Sequence, residues 1–192
     1  MTVPPKHQPD WSKVGEQAHL VQFYEHEAAL VPLLSRYVGT ALVAGDAAIV
    51  VSTETVRTKV VGHLAAQGFD VAIARAQDRY VDLDTTATLR QVVHNGAPDA
   101  GRFRAILEPL LDRAANRGRR VAVFGSMVDA LCAKGQFEAA IRVEGLWNEQ
   151  ARRHAFTLAC GYRMDRFSHG RHAAPFVRIC SQHSHVFSAG VR

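Results

Sequence analysis

The sequence predicts a single three-layer α/β domain with a mostly parallel central sheet and helices on both faces. Short apolar segments typical of buried strands alternate with segments in which apolar residues recur at helical spacing. The 192 residues suffice for one domain with a sizeable core. The chain also contains no internal repeat and no linker-like stretch, which favours one domain over two.

The first half of the chain predicts two strands, each followed by a helix. Residues 20–24 form the first strand, and apolar residues from 30 to 41 recur at helical spacing until Gly45 ends that helix. The run AAIVV at 47–51 is typical of a strand covered on both faces. Thr53 is placed to cap the helix that follows.

The second half continues the alternation. A short apolar segment at 71–74 and a strand at 80–83 come first. Two helices follow, over 85–94 and 100–116, and Asp84 and Asp99 are placed to cap them. Further strands are predicted at 121–124 and 156–162, with a long helix over 137–154 between them. We expect the segment from Pro175 to Phe187 to form one short helix.

The ends of the chain differ in character from this core. Residues 1–18 are polar and proline-rich and predict a mobile arm, residues 19–187 the folded domain, and residues 188–192 a C-terminal tail. The arm lacks the apolar stretch of a signal peptide, and no run of about 18 apolar residues suggests a membrane span. The three cysteines are far apart, as expected of reduced thiols. We therefore predict a cytoplasmic protein without membrane contact.

The turn after the first strand, Tyr24-Glu25-His26-Glu27, lies where many α/β proteins carry a phosphate-binding loop. It has no glycine and two acids, and the chain contains neither GxxxxGK[ST] nor GxGxxG. Ser126, in FGSMV, does not match the GxSxG of a nucleophile elbow. The net charge of +5 comes from scattered arginines. We therefore predict no enzymatic activity, no cofactor and no direct nucleic-acid binding.

Ligands of parallel α/β folds bind outside the carboxyl ends of the strands. The side chains that we expect at this edge, and propose as ligand-binding, are Phe23, Tyr24, Glu25, Ser126, Met127 and Tyr162. Aromatic rings beside a carboxylate suit a neutral or cationic organic molecule better than a phosphate. A purely structural reading remains open, with Phe23 in the core and Glu25 favouring the positive end of a helix.

Glu144 interrupts the apolar face of the long helix, and Asn148 follows one turn later. A carboxylate that faces a core needs a partner or a raised pKa. Glu144 is therefore predicted to be buried and hydrogen-bonded. It either meets a structural partner or, together with Asn148, borders a ligand cavity.

Cys180, His183 and His185 form a cluster near the C-terminus. Such residues could bind a transition metal, but no second ligand pair at fixed spacing accompanies them. We therefore predict no metal. We expect this tail to form a lid or wall of the cleft, where His183 and His185 make polar contacts with the ligand. The alternative is that the tail packs elsewhere, as a dimer contact or a free end.

Several segments together carry a resemblance to a known family: HLVQFYEHEAALV, ALVAGDAAIVVST, RYVDLD, GRFRAIL, VAVFGSMVDAL, EGLWNE, FTLACGYRM and RICSQHSHV. In this order, from about His19 to Val186, they resemble the MEDS domain, the methanogen/methylotroph DcmR-type sensory domain. The resemblance implies a sensory module for hydrocarbon derivatives on a RecA/KaiC-like core that has lost its P-loop.

The resemblance also adds residues to the site. It implies a role for His19 in the first segment and supports Glu144, Asn148, His183 and His185 in the later ones. Family members look as if they often carry an acid where this chain has Ser126. If that acid contacts the ligand, the exchange implies either a different ligand specificity or weaker ligand binding in this chain.

Together these observations predict a sensor that binds a small organic ligand and passes the signal to a partner protein of kinase, regulator or anti-sigma type. A homodimer is one arrangement in which such a sensor could act. The alternative is a ligand-free adaptor, a degenerate RecA-like module for protein interactions. A nucleotide-binding enzyme is disfavoured by the missing phosphate loop.

Overall fold

A six-stranded parallel sheet forms the centre of the protein. The computed structural model describes residues 11, 14–15, 17–168 and 172–188. The strands of the sheet are β1 (His19–Tyr24), β2 (Ala47–Ser52), β3 (Tyr80–Asp84), β6 (Val121–Gly125), β7 (Thr157–Arg163) and β8 (His185–Ser188). Their order across the sheet is β3-β2-β6-β7-β1-β8, and every neighbouring pair is parallel. Two further short strands, β4 (Val93–His94) and β5 (Ala97–Pro98), form a separate hairpin.

Helices cover both faces of this sheet. On one face lie α1 (Glu27–Val43), α2 (Glu54–Ala66) and α3 (Val71–Ala76). On the other lie α4 (Thr85–Val92), α5 (Ala100–Ala114), α6 (Met127–Cys132), α7 (Phe137–Ala151) and α8 (Ala173–Cys180). Each strand sends alternate side chains into the two cores, as Leu20 and Val21 do from β1. The predicted α/β fold class, with a parallel sheet between two helical layers, is confirmed.

The predicted helix caps are present in the structure. The carboxylate of Asp84 accepts a hydrogen bond of 2.9 Å from Ala87 N, and that of Asp99 accepts one of 2.8 Å from Arg102 N. Thr53 Oγ1 accepts from Val56 N at 3.4 Å. In each case a side-chain oxygen satisfies a backbone donor that the first helical turn leaves free.

The prediction of one helix from Pro175 to Phe187 is wrong. Helix α8 ends at Cys180, and the chain then turns and enters β8, which pairs with β1. Ser184 N donates to His19 O at 2.7 Å, and Val186 lies beside Val21. The β-branched and aromatic residues Val186 and Phe187 favour a strand once an open sheet edge is available.

Part of the predicted mobile arm belongs to the core. Trp11 is only 2% exposed and stacks on Phe124, with a ring-centroid distance of 6.2 Å. Its indole N–H donates to Gln22 Oε1 at 3.2 Å. Residues 1–10, 12–13 and 16 of the arm, and residues 189–192 of the tail, lie outside the described residues. Among the described helices, none combines the length and the apolar character that a bilayer span requires.

Gly161 is expected to resist substitution because its strand packs directly on Phe124. A Cβ at Gly161 would lie 2.8 Å from Phe124 Cζ and 3.4 Å from Tyr24 Cε1. We expect Gly161→Ala to lower the free energy of unfolding by about 1–3 kcal/mol, as overpacking in a tight core does. Urea unfolding followed by circular dichroism measures this loss.

The matched control is Gly145→Ala in the interior of α7. Apart from the backbone of its own helix, no atom lies within 4 Å of a Cβ built there, so the exchange is expected to stabilise the helix by roughly 0.5–1 kcal/mol. Equal changes in the free energy of unfolding for Gly161→Ala and Gly145→Ala would contradict the close packing of β7 on Phe124.

Candidate functional site

Four buried polar side chains meet between the sheet and helices α7 and α8. They are His19, Glu144, Cys160 and His183, and we call them the buried polar cluster. Each residue contributes one polar atom, an imidazole nitrogen, the cysteine sulfur or a carboxylate oxygen, and these four atoms all lie within 4.8 Å of one another. The Glu144 and His183 side chains are 0% exposed. Four polar side chains together in a core are unusual, because a buried polar group is costly unless it is hydrogen-bonded. Such a group therefore either has hydrogen-bond partners or serves a function.

The strand register explains why these residues meet. Strand β1 pairs with β7 so that Val21 lies beside Cys160 and Phe23 beside Tyr162. His19, at the start of β1, shares a sheet face with Val21 because side chains alternate along a strand. Glu144 approaches this face from α7, and His183 approaches it from the turn that joins α8 to β8.

Glu144 is the centre of the cluster. Tyr162 Oη donates to Glu144 Oε1 at 2.6 Å, and Cys160 Sγ donates to Oε2 at 3.4 Å. His19 Nε2 lies 3.2 Å from Oε2, and His183 Nε2 lies 3.4 Å from Oε1. The prediction that Glu144 is buried and hydrogen-bonded is confirmed.

Outer partners fix the orientation of both imidazoles. His183 Nδ1 lies 2.7 Å from Ile179 O, which can only accept, so Nδ1 donates. Asn148 Nδ2 donates to two oxygens of Gln182, which turns its own Oδ1 towards His19 Nδ1 at 2.9 Å. Both rings therefore carry a hydrogen on Nδ1 and direct Nε2 at Glu144.

The electrostatics of the cluster follow from its burial. Burial opposes ionisation of Glu144, but the imidazoles of His183 and His19 outweigh it and hold the Glu144 pKa well below its ordinary value. The carboxylate in turn outweighs the burial of His183 and raises that pKa. Burial, together with the negative Glu144, raises the pKa values of Cys160 and Tyr162 well above normal. In the absence of other ions, the carboxylate is thus charged and the thiol and phenol are neutral.

A second polar feature lies at the carboxyl ends of the strands, and we call it the carboxyl-edge cleft. Its volume is about 180 Å³. Its lining mixes apolar, hydroxyl and charged side chains: Tyr24, Glu27, Ser52, Thr53, Val56, Ser126, Asp129, Ala130, Ala133, Arg163 and Arg166. The cleft therefore occupies the position at which ligands of parallel α/β folds bind.

Two groups of hydrogen bonds hold the walls of the cleft. Ser126 Oγ lies 3.0 Å from Thr85 Oγ1 and 3.3 Å from Val51 O. Asp129, on the first turn of α6, accepts from Arg163 N at 2.9 Å and from Arg166 Nε at 3.1 Å. The Asp129–Arg166 pair joins α6 to the short helical segment Met164–Phe167 that follows β7.

The predicted site residues fall into different surroundings rather than around one opening. His19, Glu144, Asn148, Tyr162 and His183 belong to the buried polar cluster or to its outer partners. Tyr24 and Ser126 line the carboxyl-edge cleft. Whether any of them binds a ligand stays a prediction.

Four predicted residues lie outside both features. Phe23 packs in an aromatic group with Tyr162, Phe167 and Phe176, and Met127 is fully buried in the apolar core. Glu25 and His185 are exposed. The idea of a histidine lid therefore needs correction, because His183 points into the core and His185 lies on the edge strand β8.

Cys160 is the main cluster residue that was not among the predicted ligand-binding residues, although the MEDS resemblance includes its position. It lies in an apolar stretch and reads as an inert core thiol, although it is two residues before Tyr162 on the same strand face. Asp129, Arg163 and Arg166 were also missed in the cleft. Only Asp129 gives a sequence signal, as an acid three residues after Ser126 in an otherwise apolar helix.

The fold and these features define a three-layer α/β domain with a polar cleft at the carboxyl ends of its parallel strands. Residues 18–174 match the family model of the MEthanogen/methylotroph, DcmR Sensory domain, MEDS. The chain therefore belongs to the MEDS family of sensory domains, as the resemblance implied. No curated protein matches the chain. The matched residues include His19, Glu144 and Cys160, whereas His183 follows them.

Proposed function

We propose that this sensory domain binds a small, mostly neutral organic molecule in the carboxyl-edge cleft. The observation that carries this proposal is the cleft itself, which is open, mixed in polarity and placed at the carboxyl ends of β2, β6 and β7. Parallel α/β folds bind their ligands at this position, whereas a cleft filled by side chains would have favoured the adaptor.

The size and charge of the cleft narrow the class of ligand. A volume of about 180 Å³ lies below the range of about 300–1,000 Å³ that is typical of sites for drug-sized molecules. Arg166 is paired with Asp129, so its charge is already balanced within the protein. Val56, Ala130 and the Tyr24 ring offer apolar contact, and Ser52 and Ser126 offer hydroxyl groups. A short hydrocarbon derivative with one polar group suits this lining.

The Asp129–Arg166 ion pair offers a route by which binding changes the protein. A ligand beside Asp129 would alter this pair, and with it the position of the segment Met164–Phe167 relative to α6. The protein would then shift between a state with the Asp129–Arg166 pair as described and a state with the pair altered. The size of this shift is limited by the difference between the ligand's affinities for the two states. A signalling partner of kinase, regulator or anti-sigma type would then recognise the changed surface.

Filling the cleft tests this function. Ala130→Phe places a ring into the cleft from α6, whereas the control Ala65→Phe makes the same exchange at an exposed position of α2. We expect short-chain alcohols, aldehydes or halocarbons to raise the melting temperature of the wild type and of Ala65→Phe, but not of Ala130→Phe. Native mass spectrometry of protein from its own host would reveal a co-purifying compound as added mass. A panel that shifts all three proteins equally would contradict binding in the cleft.

A ligand-free adaptor is the second candidate, and the sheet edge favours it. Strand β8 pairs only with β1 among the described strands, and Val186 on it is 51% exposed. An open strand edge can pair with an added strand of another chain. This function predicts a partner that binds equally to wild type and to Ala130→Phe, and that is lost when Val186 is replaced by proline.

A further inference from the structure

We propose that the buried polar cluster binds one divalent transition-metal ion of the zinc class through His19 Nε2, His183 Nε2, Cys160 Sγ and a carboxylate oxygen of Glu144. This inference goes beyond the sensory function proposed above and does not depend on it. It differs from the sequence prediction of no metal and uses a different set of residues from the Cys180–His183–His185 cluster considered there.

Three of the four donor atoms have the spacing that a tetrahedral site requires, and the fourth, from His183, lies within 4.8 Å of them. Metal–nitrogen distances of about 2.0–2.1 Å and a metal–sulfur distance of about 2.3 Å place tetrahedral donors roughly 3.3–3.6 Å apart. His19 Nε2, Cys160 Sγ and Glu144 Oε2 form a triangle with sides of 3.2, 3.4 and 3.4 Å. His183 Nε2 approaches from the other side of the carboxylate, 3.4 Å from Oε1.

Both imidazoles are held in the tautomer that a metal needs. Hydrogen bonds from Nδ1 to Ile179 O and to Asn148 Oδ1 leave the lone pair of each neutral ring on Nε2, directed into the cluster. His183 Nε2 is buried and makes no hydrogen bond of acceptable geometry with any described residue. Two such lone pairs facing a carboxylate repel it unless a proton or a metal ion lies between them.

The remaining hydrogen bonds also suit a coordinated ion. Tyr162 donates to Glu144 Oε1 at 2.6 Å, which leaves Oε2 directed towards His19 and Cys160. Carboxylate ligands are generally oriented by such outer hydrogen bonds. The four ligands come from β1, α7, β7 and the turn after α8, so one ion would join the C-terminal α8–β8 segment to the sheet.

Charge balance selects the class of ion. A divalent cation with one thiolate, one carboxylate and two neutral imidazoles gives a net charge of zero in a buried site, with the Cys160 proton released to solvent on binding. Sulfur and imidazole ligands favour zinc and similar transition metals over magnesium or calcium, which take oxygen ligands. Four protein ligands describe a closed, structural type of site. The competing arrangement is a proton-linked network in which Glu144 pairs with a protonated histidine.

Cobalt(II) as a spectroscopic probe distinguishes these two arrangements. The chain has three cysteines, so the double variant Cys132→Ser/Cys180→Ser retains Cys160 as its only thiol. After removal of bound metal with a chelator, we expect this variant and the wild type to bind one cobalt ion per chain with an intense near-ultraviolet thiolate-to-cobalt band. Absence of that band from the wild type, or its loss in the folded double variant, would overturn the proposal.

Single replacements then assign the other ligands. His183→Gln is expected to weaken zinc affinity, measured by competition with a chromophoric chelator, by at least about tenfold, whereas His185→Gln should leave it unchanged. Cys160→Ser should abolish the thiolate band. If Cys160→Ser does not fold, the double variant still decides the assignment, because no other thiol remains in it. Equal zinc affinity of the two histidine variants would contradict the proposed site.

Discussion

Replacing Glu144 by alanine is expected to cost about 3–5 kcal/mol of the free energy of unfolding, the range found when one partner of a buried ion pair is removed. Glu144 is fully buried and accepts from Tyr162 and Cys160 while it faces two imidazoles. Alanine would leave the Tyr162 hydroxyl without its acceptor and His183 without its counter-charge. Urea unfolding in the presence of a chelator measures the loss in metal-free protein, so this test is independent of metal binding.

Glu138→Ala provides the matched control on the same helix. Glu138 is exposed at the start of α7, where its carboxylate pairs with Arg178. Exposed ion pairs contribute little because solvent screens them, so the unfolding midpoint should hardly move. If Glu144→Ala unfolded at the same denaturant concentration as Glu138→Ala, the cluster would not be an organised part of the core.

The loss on Glu144→Ala should also depend on pH. Glu144 has a lowered pKa in the folded protein, so its contribution is complete above the unfolded pKa of about 4.3 and is lost as the pH falls. His183 has a raised pKa, so its contribution is complete below the unfolded pKa of about 6.5 and is lost as the pH rises. The difference between wild type and variant should therefore be largest between about pH 4.3 and 6.5. A difference that grew steadily towards pH 9 would contradict this ionisation scheme.

The burial of Glu144 could be predicted because it depends on a local pattern. A helix with apolar residues at 3.6-residue spacing shows which face meets the core, and Glu144 falls on that face. The identity of its partners could not be predicted in the same way. His19 and Cys160 meet Glu144 only because β1 pairs with β7, two strands separated by more than 130 residues of chain. Strand order of this kind is set by tertiary packing and leaves no local signal.

The same distinction explains the errors at the C-terminus. The α/β alternation and the three caps rest on local physics, and the structure contains them. The fate of Val186 and Phe187 depends instead on an open sheet edge beside β1. Because the chain after α8 becomes a strand rather than a continued helix, His183 turns inwards and His185 outwards. The expected single opening thus becomes a cleft and a separate buried polar cluster.

Trp11 is another residue whose role depends on distant parts of the chain. Its replacement by alanine is expected to lower the free energy of unfolding by about 3–5 kcal/mol. Its ring is 2% exposed and lies against Phe124 and, edge-on, Tyr37 at 5.4 Å between centroids. Alanine would open a void beside the existing cavity of about 110 Å³ that Trp11 helps to line. It would also leave the Gln22 side-chain oxygen without its donor.

Trp11→Phe separates the contribution of the packed ring from that of the indole hydrogen bond to Gln22. Phenylalanine keeps an aromatic ring on Phe124 but removes the indole N–H, so its cost should be about 1–3 kcal/mol, that of one unsatisfied buried acceptor. Urea unfolding followed by far-ultraviolet circular dichroism measures both variants. A mobile arm, as the polar and proline-rich sequence suggested, requires both variants to unfold like wild type. A larger loss of unfolding free energy for alanine than for phenylalanine would instead make Trp11 a structural part of the domain. The core on the α1 face of the sheet would then include a residue that precedes β1.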